Sequence, residues 1–174
     1  MVTLDQVMFD TVAQQAGVKP RIRADLKFVT STAALSDDWS DYEVLSVADK
    51  SGRNGVLLLQ PGEKLYAVPY ELTSITASST TGRAQAIICD FCYTWQRGSN
   101  AASITLTHAS TKRGIRFLCC GDLRCSSHVR TQTKASVLSR TQLRENLTDD
   151  DRVFRLKERI LDKIQNLNLQ AIIL

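Results

Sequence analysis

Two close pairs of cysteines constrain this chain more than any other feature. The first is Cys89-Asp90-Phe91-Cys92, a C-x2-C. The second is Cys120-Gly121-Asp122-Leu123-Arg124-Cys125, a C-x4-C, and twenty-seven residues lie between the pairs. Four thiolates can close a tetrahedral shell around Zn2+, and pairing the ligands locally lowers the entropy of assembling that shell. A lone C-x-x-C would suit a redox dithiol equally well, whereas two short pairs at this separation are a zinc pattern. Disulfides and buried free thiols are the plainer alternatives. The chain has five cysteines, an odd number, and nothing else in it asks for an oxidising compartment. We expect one structural Zn2+ held by Cys89, Cys92, Cys120 and Cys125. Cys119 adjoins Cys120 and competes with it for the metal. Alternation along Ile115-Arg116-Phe117-Leu118-Cys119 places Ile115, Phe117 and Cys119 on one strand face, which makes Cys119 a small buried apolar residue.

At 174 residues, 43% hydrophobic and 23% charged, the chain has the size and composition of one domain with a real core. No apolar run approaches the roughly eighteen residues of a membrane span. Met1 to Gln6 lacks the basic and apolar regions of a signal peptide, so we expect a cytoplasmic protein without membrane contact, and a monomer. Net charge is +4, but it is unevenly spread. Residues 83–144 hold ten Lys/Arg against only Asp90 and Asp122, while acids outnumber bases both before residue 72 and after residue 144. Such a field favours an acidic partner, protein or nucleic acid. The alternative is a solvated surface screened within about 8 Å at physiological salt.

Periodicity and turn residues suggest an α+β chain. Thr3-Leu4-Asp5-Gln6 reads as a capping box, with Thr3 as the cap. A stripe of Leu4, Val7, Met8 and Val12 follows, and Gly17 is a natural stop. Ser36 to Tyr42 is an acidic turn whose Trp39 and Tyr42 are expected to pack. Val44–Ala48, Gly55–Gln60 and Leu65–Tyr70 read as an antiparallel β-meander, with turns supplied by Gly52 to Gly55 and by Pro61-Gly62. Thr73–Thr81 is a Ser/Thr-rich loop and the one plausible internal boundary. After it, Cys89 and Cys92 form a knuckle, Ser103–His108 and Gly114–Cys119 form a hairpin, and Cys120 to Arg130 begins a helix, whose positive end suits thiolates. Knuckle, hairpin and helix together make a treble-clef zinc finger. The last helix is capped by Thr148 and carries Val153, Leu156, Ile160, Ile164 and Leu167 inward. Arg155, Lys157, Glu158, Arg159 and Lys163 then form a solvated outer face. We therefore expect one domain over 1–174, made of an N-terminal helix and meander (1–82), a treble clef (83–135) and a C-terminal helical segment (136–174).

The residues argue against catalysis. Catalytic zinc keeps an open position beside an acid or base, and the zinc-deaminase pattern H-x-E…P-C-x-x-C is absent. The two histidines fall in a hairpin strand (His108) and on the helix after Cys125 (His128), where packing is the ordinary role. A zinc-dependent enzyme is thus the third reading. A basic finger that binds RNA is the second, with Phe91, Tyr93 and Trp95 available for stacking.

The first reading comes from a resemblance. Cys-Asp-Phe-Cys-Tyr-Thr-Trp (89–95), Phe-Leu-Cys-Cys-Gly-Asp-Leu-Arg-Cys-Ser-Ser-His-Val-Arg (117–130) and Ser-Arg-Thr-Gln-Leu-Arg-Glu-Asn-Leu-Thr (139–148) resemble the bacterial FBP family. So does the acidic-tryptophan segment 38–45, and the likeness runs from about residue 4 to residue 165. Members carry the elongation-factor-G-binding treble clef of the FusB-type fusidic-acid-resistance proteins. The resemblance implies a zinc-stabilised α+β domain, ligated by Cys89, Cys92, Cys120 and Cys125, that binds elongation factor G and assists its release from the ribosome. Two departures bear on the resistance role. The resistance proteins have a substantial N-terminal helical bundle, whereas this chain shows one helix near Leu4–Ala16. They also place a histidine ligand where this chain has Asp122. Candidate partner contacts are Lys112, Arg113 and Arg116 on the hairpin, and Arg124, Arg130 and Lys134 on or after the helix.

Overall fold

The structure, a computed structural model, describes residues 5–26, 28, 42–75 and 85–173. The expected Thr3 cap, Leu4, Trp39 and the loop beyond Ile75 lie outside the described residues. What is described is an antiparallel sheet with five α-helices: α1 (Gln6–Gln15), α2 (Pro20–Arg23), α3 (Cys125–Val129), α4 (Lys134–Leu143) and α5 (Asp149–Leu167). The strands are β1 (Val44–Ala48), β2 (Asn54–Leu59), β3 (Tyr66–Ser74), β4 (Ile87–Ile88), β5 (Trp95–Gln96), β6 (Ala101–Thr107) and β7 (Gly114–Cys120).

The large sheet has the order β1-β2-β3-β6-β7, with every neighbour antiparallel. The β6–β7 hairpin extends the meander, because Leu72 of β3 pairs with Ile104 of β6. A single sheet thus bridges the segment where a boundary was expected. β4 and β5 form a separate two-stranded ribbon that carries the first cysteine pair. β2 is buried on both faces, as a central strand should be. Gly55, expected both to end the turn and to open this strand, lies inside the strand. A Cβ there would stand 2.2 Å from the Val47 carbonyl oxygen and 2.9 Å from the Tyr70 ring, so the neighbouring strands leave room only for glycine. The turn itself is organised by Asp49, whose Oδ1 accepts from the backbone N–H groups of Ser51 (3.1 Å) and Arg53 (3.3 Å).

Each sheet face covers a core. On one face Val47, Val56, Leu58 and Ala67 pack under α1 against Phe9, Val12 and Ala13. The helix starts two residues later than expected, at an Asp5 cap whose Oδ1 accepts from Met8 N–H at 2.7 Å. Its buried stripe is also rotated, since Val7 is 73% exposed and Phe9 points in. Phe9 offers more area than Val7 and stacks on Phe28 with centroids 5.1 Å apart. On the other face Leu57, Leu59, Val68, Tyr70, Ile104 and Leu106 pack against the cysteine knuckles and α5. α5 begins at Thr148 with a reciprocal Thr148–Asp151 capping box, and buries Leu156, Ile160, Ile164 and Leu167. Val153 of the expected stripe is half-buried, and Arg152 is buried in full.

Candidate metal centre

The first cysteine pair sits in the tight turn between β4 and β5. Cys89 N–H donates to the Thr94 carbonyl at 3.0 Å, and Tyr93 N–H donates to the Cys89 carbonyl at 2.9 Å. Tyr93 takes a left-handed conformation (φ +58°) to close the turn. The second pair is split between elements. Cys120 ends β7, and Cys125 is the first residue of α3, so the expected helix from Cys120 begins five residues later. Between them Leu123 N–H returns to the Cys120 carbonyl at 3.1 Å, with Leu123 at φ +51°. α3 is fixed to the sheet by Ser126, whose Oγ accepts from the N–H groups of Glu43 (3.0 Å) and Val44 (3.1 Å).

These turns converge. The Sγ atoms of Cys89, Cys92, Cys120 and Cys125 all lie within 4.8 Å of one another, and all four residues are buried. Cys89 and Cys125 sulfurs are 3.9 Å apart, and those of Cys92 and Cys120 are 3.5 Å apart. A disulfide needs about 2.05 Å. A tetrahedron with Zn–S bonds of about 2.3 Å has edges of about 3.8 Å, so the four sulfurs fit one zinc ion. The electrostatics agree. Burial opposes ionisation of Cys89, yet hydrogen bonds from Cys120, Cys125 and Cys92 bring its thiol well below the usual range. Cys125 is pushed well up, first because it donates to Cys120 and then because it donates to Cys89 and Cys92. Without a cation the thiols must share protons, and a divalent cation removes that conflict. Cys119 faces the core with Phe117 and Ile115, as alternation predicts, and is outside the sulfur cluster. Burial, followed by the nearby Cys89 and Cys92, pushes its thiol up.

A polar shell surrounds Cys120. Gln96 Nε2 donates to its Sγ at 3.1 Å, and Asn100 Nδ2 donates to Gln96 Oε1 at 2.9 Å. His128 is buried, with Nε2 3.1 Å from Asp122 Oδ1 and Nδ1 2.6 Å from Thr133 Oγ1. These five residues come from different elements and turns, and no spacing in the chain announces them. His108 lies just beyond β6, where its Nδ1 accepts from Thr111 N–H at 3.3 Å.

The outer side of α5 is not the solvated face that the sequence suggests. Arg155 and Arg159 stack on the Tyr93 ring at 4.6 and 5.2 Å, and Lys163 lies over Phe117 at 5.2 Å. Arg159 also donates to the Asp90 carbonyl at 3.1 Å. Phe91 is buried against Phe117, edge to face at 5.0 Å. Of the expected partner contacts, Lys112, Arg113, Arg116, Arg124 and Lys134 are exposed, and Arg116 Nε donates to Ser103 Oγ at 2.7 Å. Arg130 is not a rim charge. Its side chain is only 19% exposed and grips the buried Glu43 carboxylate with both terminal nitrogens, at 2.9 and 2.8 Å.

A two-knuckle cluster of four cysteines, closed by a hairpin and a short helix, defines a treble-clef zinc finger, here built into the edge of an α+β sheet. The chain belongs to the family described as FBP C-terminal treble-clef zinc-finger, whose match spans residues 22–167. No match was found among curated proteins or among solved structures. No helix among the described residues is long and apolar enough to cross a membrane.

Proposed function

We propose that this domain is a non-enzymatic adaptor that binds elongation factor G through the outer face of the zinc hairpin and its following helix and can assist its departure from the ribosome. The resemblance of the cysteine segments to the elongation-factor-G-binding proteins supplies the partner. One observation about the surface carries the choice of face. Leu118 on β7 and Ile88 on the adjoining β4 are 40% and 37% exposed, and Arg116, two residues before Leu118 on the same strand face, is exposed as well. Apolar anchors beside a basic side chain fit a protein surface bearing carboxylates. The four buried sulfurs fill a tetrahedral shell, which supports a structural role for the metal. Phe91 is buried, and Tyr93 and Trp95 already lie under the chain's own arginines, which weighs against base stacking and so against the RNA reading.

The test is binding of the purified chain to purified elongation factor G and to ribosomal RNA, across a salt series. The expected result is association with the factor, with a shallow salt slope. Arg116→Glu with Arg124→Glu should slow association about tenfold, because rim charges act mainly by steering. Arg130 is left intact, since reversing it would strand Glu43. No association with the factor at low salt, alongside tight and steeply salt-dependent binding to RNA, would reject this reading in favour of a nucleic-acid binder.

A further inference from the structure

Gln96 is a full-length amide buried against a sulfur. It is 1% exposed, and its Nε2 lies 3.1 Å from Cys120 Sγ. Among the described residues it is the one side chain other than the cysteines that donates to the sulfur cluster. Its orientation follows from its neighbours. Asn100 Nδ2 donates to Gln96 Oε1 at 2.9 Å. Gln96 Oε1 is then occupied as an acceptor, and its amino group is the part left facing Cys120. Asn100 is itself anchored, because its backbone carbonyl accepts from Gly121 N–H at 2.7 Å, one residue after Cys120.

We propose that Gln96 is a positioning residue for the metal centre, which holds the Cys120 sulfur as a ligand and lowers its nucleophilicity, and that Asn100 sets the direction of that hydrogen bond. Four thiolates around one divalent ion leave a net negative cluster in a buried site. An N–H donor withdraws charge from the sulfur it reaches, and a metal ligand is held by such outer partners. Cys120 is thereby the sulfur of the four that a side-chain amide protects. The inference concerns the metal centre alone and does not depend on which partner the domain binds.

The test uses the zinc-loaded full chain, with zinc content measured beforehand. Iodoacetamide is added, the site of modification is mapped by mass spectrometry, and zinc release is followed with a chromogenic chelator. In the natural sequence Cys120 is expected to be alkylated more slowly than Cys92 and Cys125. Gln96→Met keeps the volume and removes the donor. Asn100→Asp removes the donor to Gln96 Oε1, so the Gln96 amide turns its oxygen toward Cys120. In either variant the rate at Cys120 relative to Cys89, Cys92 and Cys125 should rise about tenfold, the rate equivalent of one hydrogen bond to a charged group. The ratio matters because local opening exposes all four cysteines together and cancels from it. An unchanged ratio, or an equal rise at all four cysteines, would overturn the assignment and leave Gln96 as packing. If one variant does not fold, the other decides.

Discussion

Cys119 and Cys120 are neighbours in the chain with different surroundings, and strand alternation separates them. Cys119 points into the core beside Phe117, whereas Cys120 points into the knuckles and meets Cys92 at 3.5 Å. Alternation made Cys119 legible in the sequence, because Ile115 and Phe117 precede it at the right period. The ligand pairs were legible for a similar reason, since each is local. Gln96 was not, because only the fold brings it from β5 to the end of β7. Nor was the inward turn of Arg130, whose acceptor Glu43 is 87 residues away in sequence. Cys120→Ser should abolish stoichiometric zinc and the native fold, because the metal and the fold are coupled. Cys119→Ala should retain about one zinc per chain, as one four-ligand site requires, and lose about 1 kcal/mol for the small cavity. Elemental analysis and urea unfolding of both variants check this. Zinc lost from the Cys119 variant and kept in the Cys120 variant would show that the ligand is the other neighbour.

At the scale of elements, α5 shows how periodicity can locate a face and still mislead about what it holds. Leu156, Ile160 and Ile164 predict the buried side, and the same spacing run backward reaches Arg152, a charged residue that the apolar stripe passes over. Its guanidinium is fully buried, with Nε 3.3 Å from Glu145 Oε2 and a terminal nitrogen 3.1 Å from Thr131 Oγ1. Arg155 holds the other Glu145 oxygen at 2.6 Å. Burial lowers the Arg152 pKa, and the Glu145 charge works against that shift. Glu145 follows Arg144, the left-handed residue that ends α4 (φ +49°), so the pair locks the turn between α4 and α5. Arg152→Leu leaves Glu145 buried with one partner and should destabilise the domain by about 3 kcal/mol. The double variant Arg152→Leu with Glu145→Leu should recover part of that loss, since Glu145 is then no longer left short, while Arg155 gives up its carboxylate partner. Chemical denaturation at saturating zinc measures both. Equal stability of Arg152→Leu and the natural sequence would show that the network contributes little.

For the molecule as a whole, the two cores depend on the metal to different degrees. The face under α1 is closed by Phe9, Val12, Val47, Val56 and Leu58, and contains no cysteine. The opposite core contains all five cysteines, together with α5 and one face of β2, β3, β6 and β7. α5 reaches the first knuckle through Arg155 and Arg159 on Tyr93, so loss of the knuckle removes the stack that docks the helix. Metal binding requires deprotonated thiols, and the raised pKa of Cys125 means that the metal-free cluster holds its protons. Zinc uptake should therefore release protons, and zinc affinity should fall as the pH falls. Chelation at neutral pH should expose the second core first. Hydrogen exchange read by mass spectrometry should show early loss of protection over residues 87–96, 120–129 and 149–167, while β1, β2 and α1 keep theirs longer. The β2 strand belongs to both cores and should be the last to open. Simultaneous loss across every segment would mean that the sheet transmits the metal's contribution to the α1 side, and that the domain folds as one unit only when the knuckles are closed.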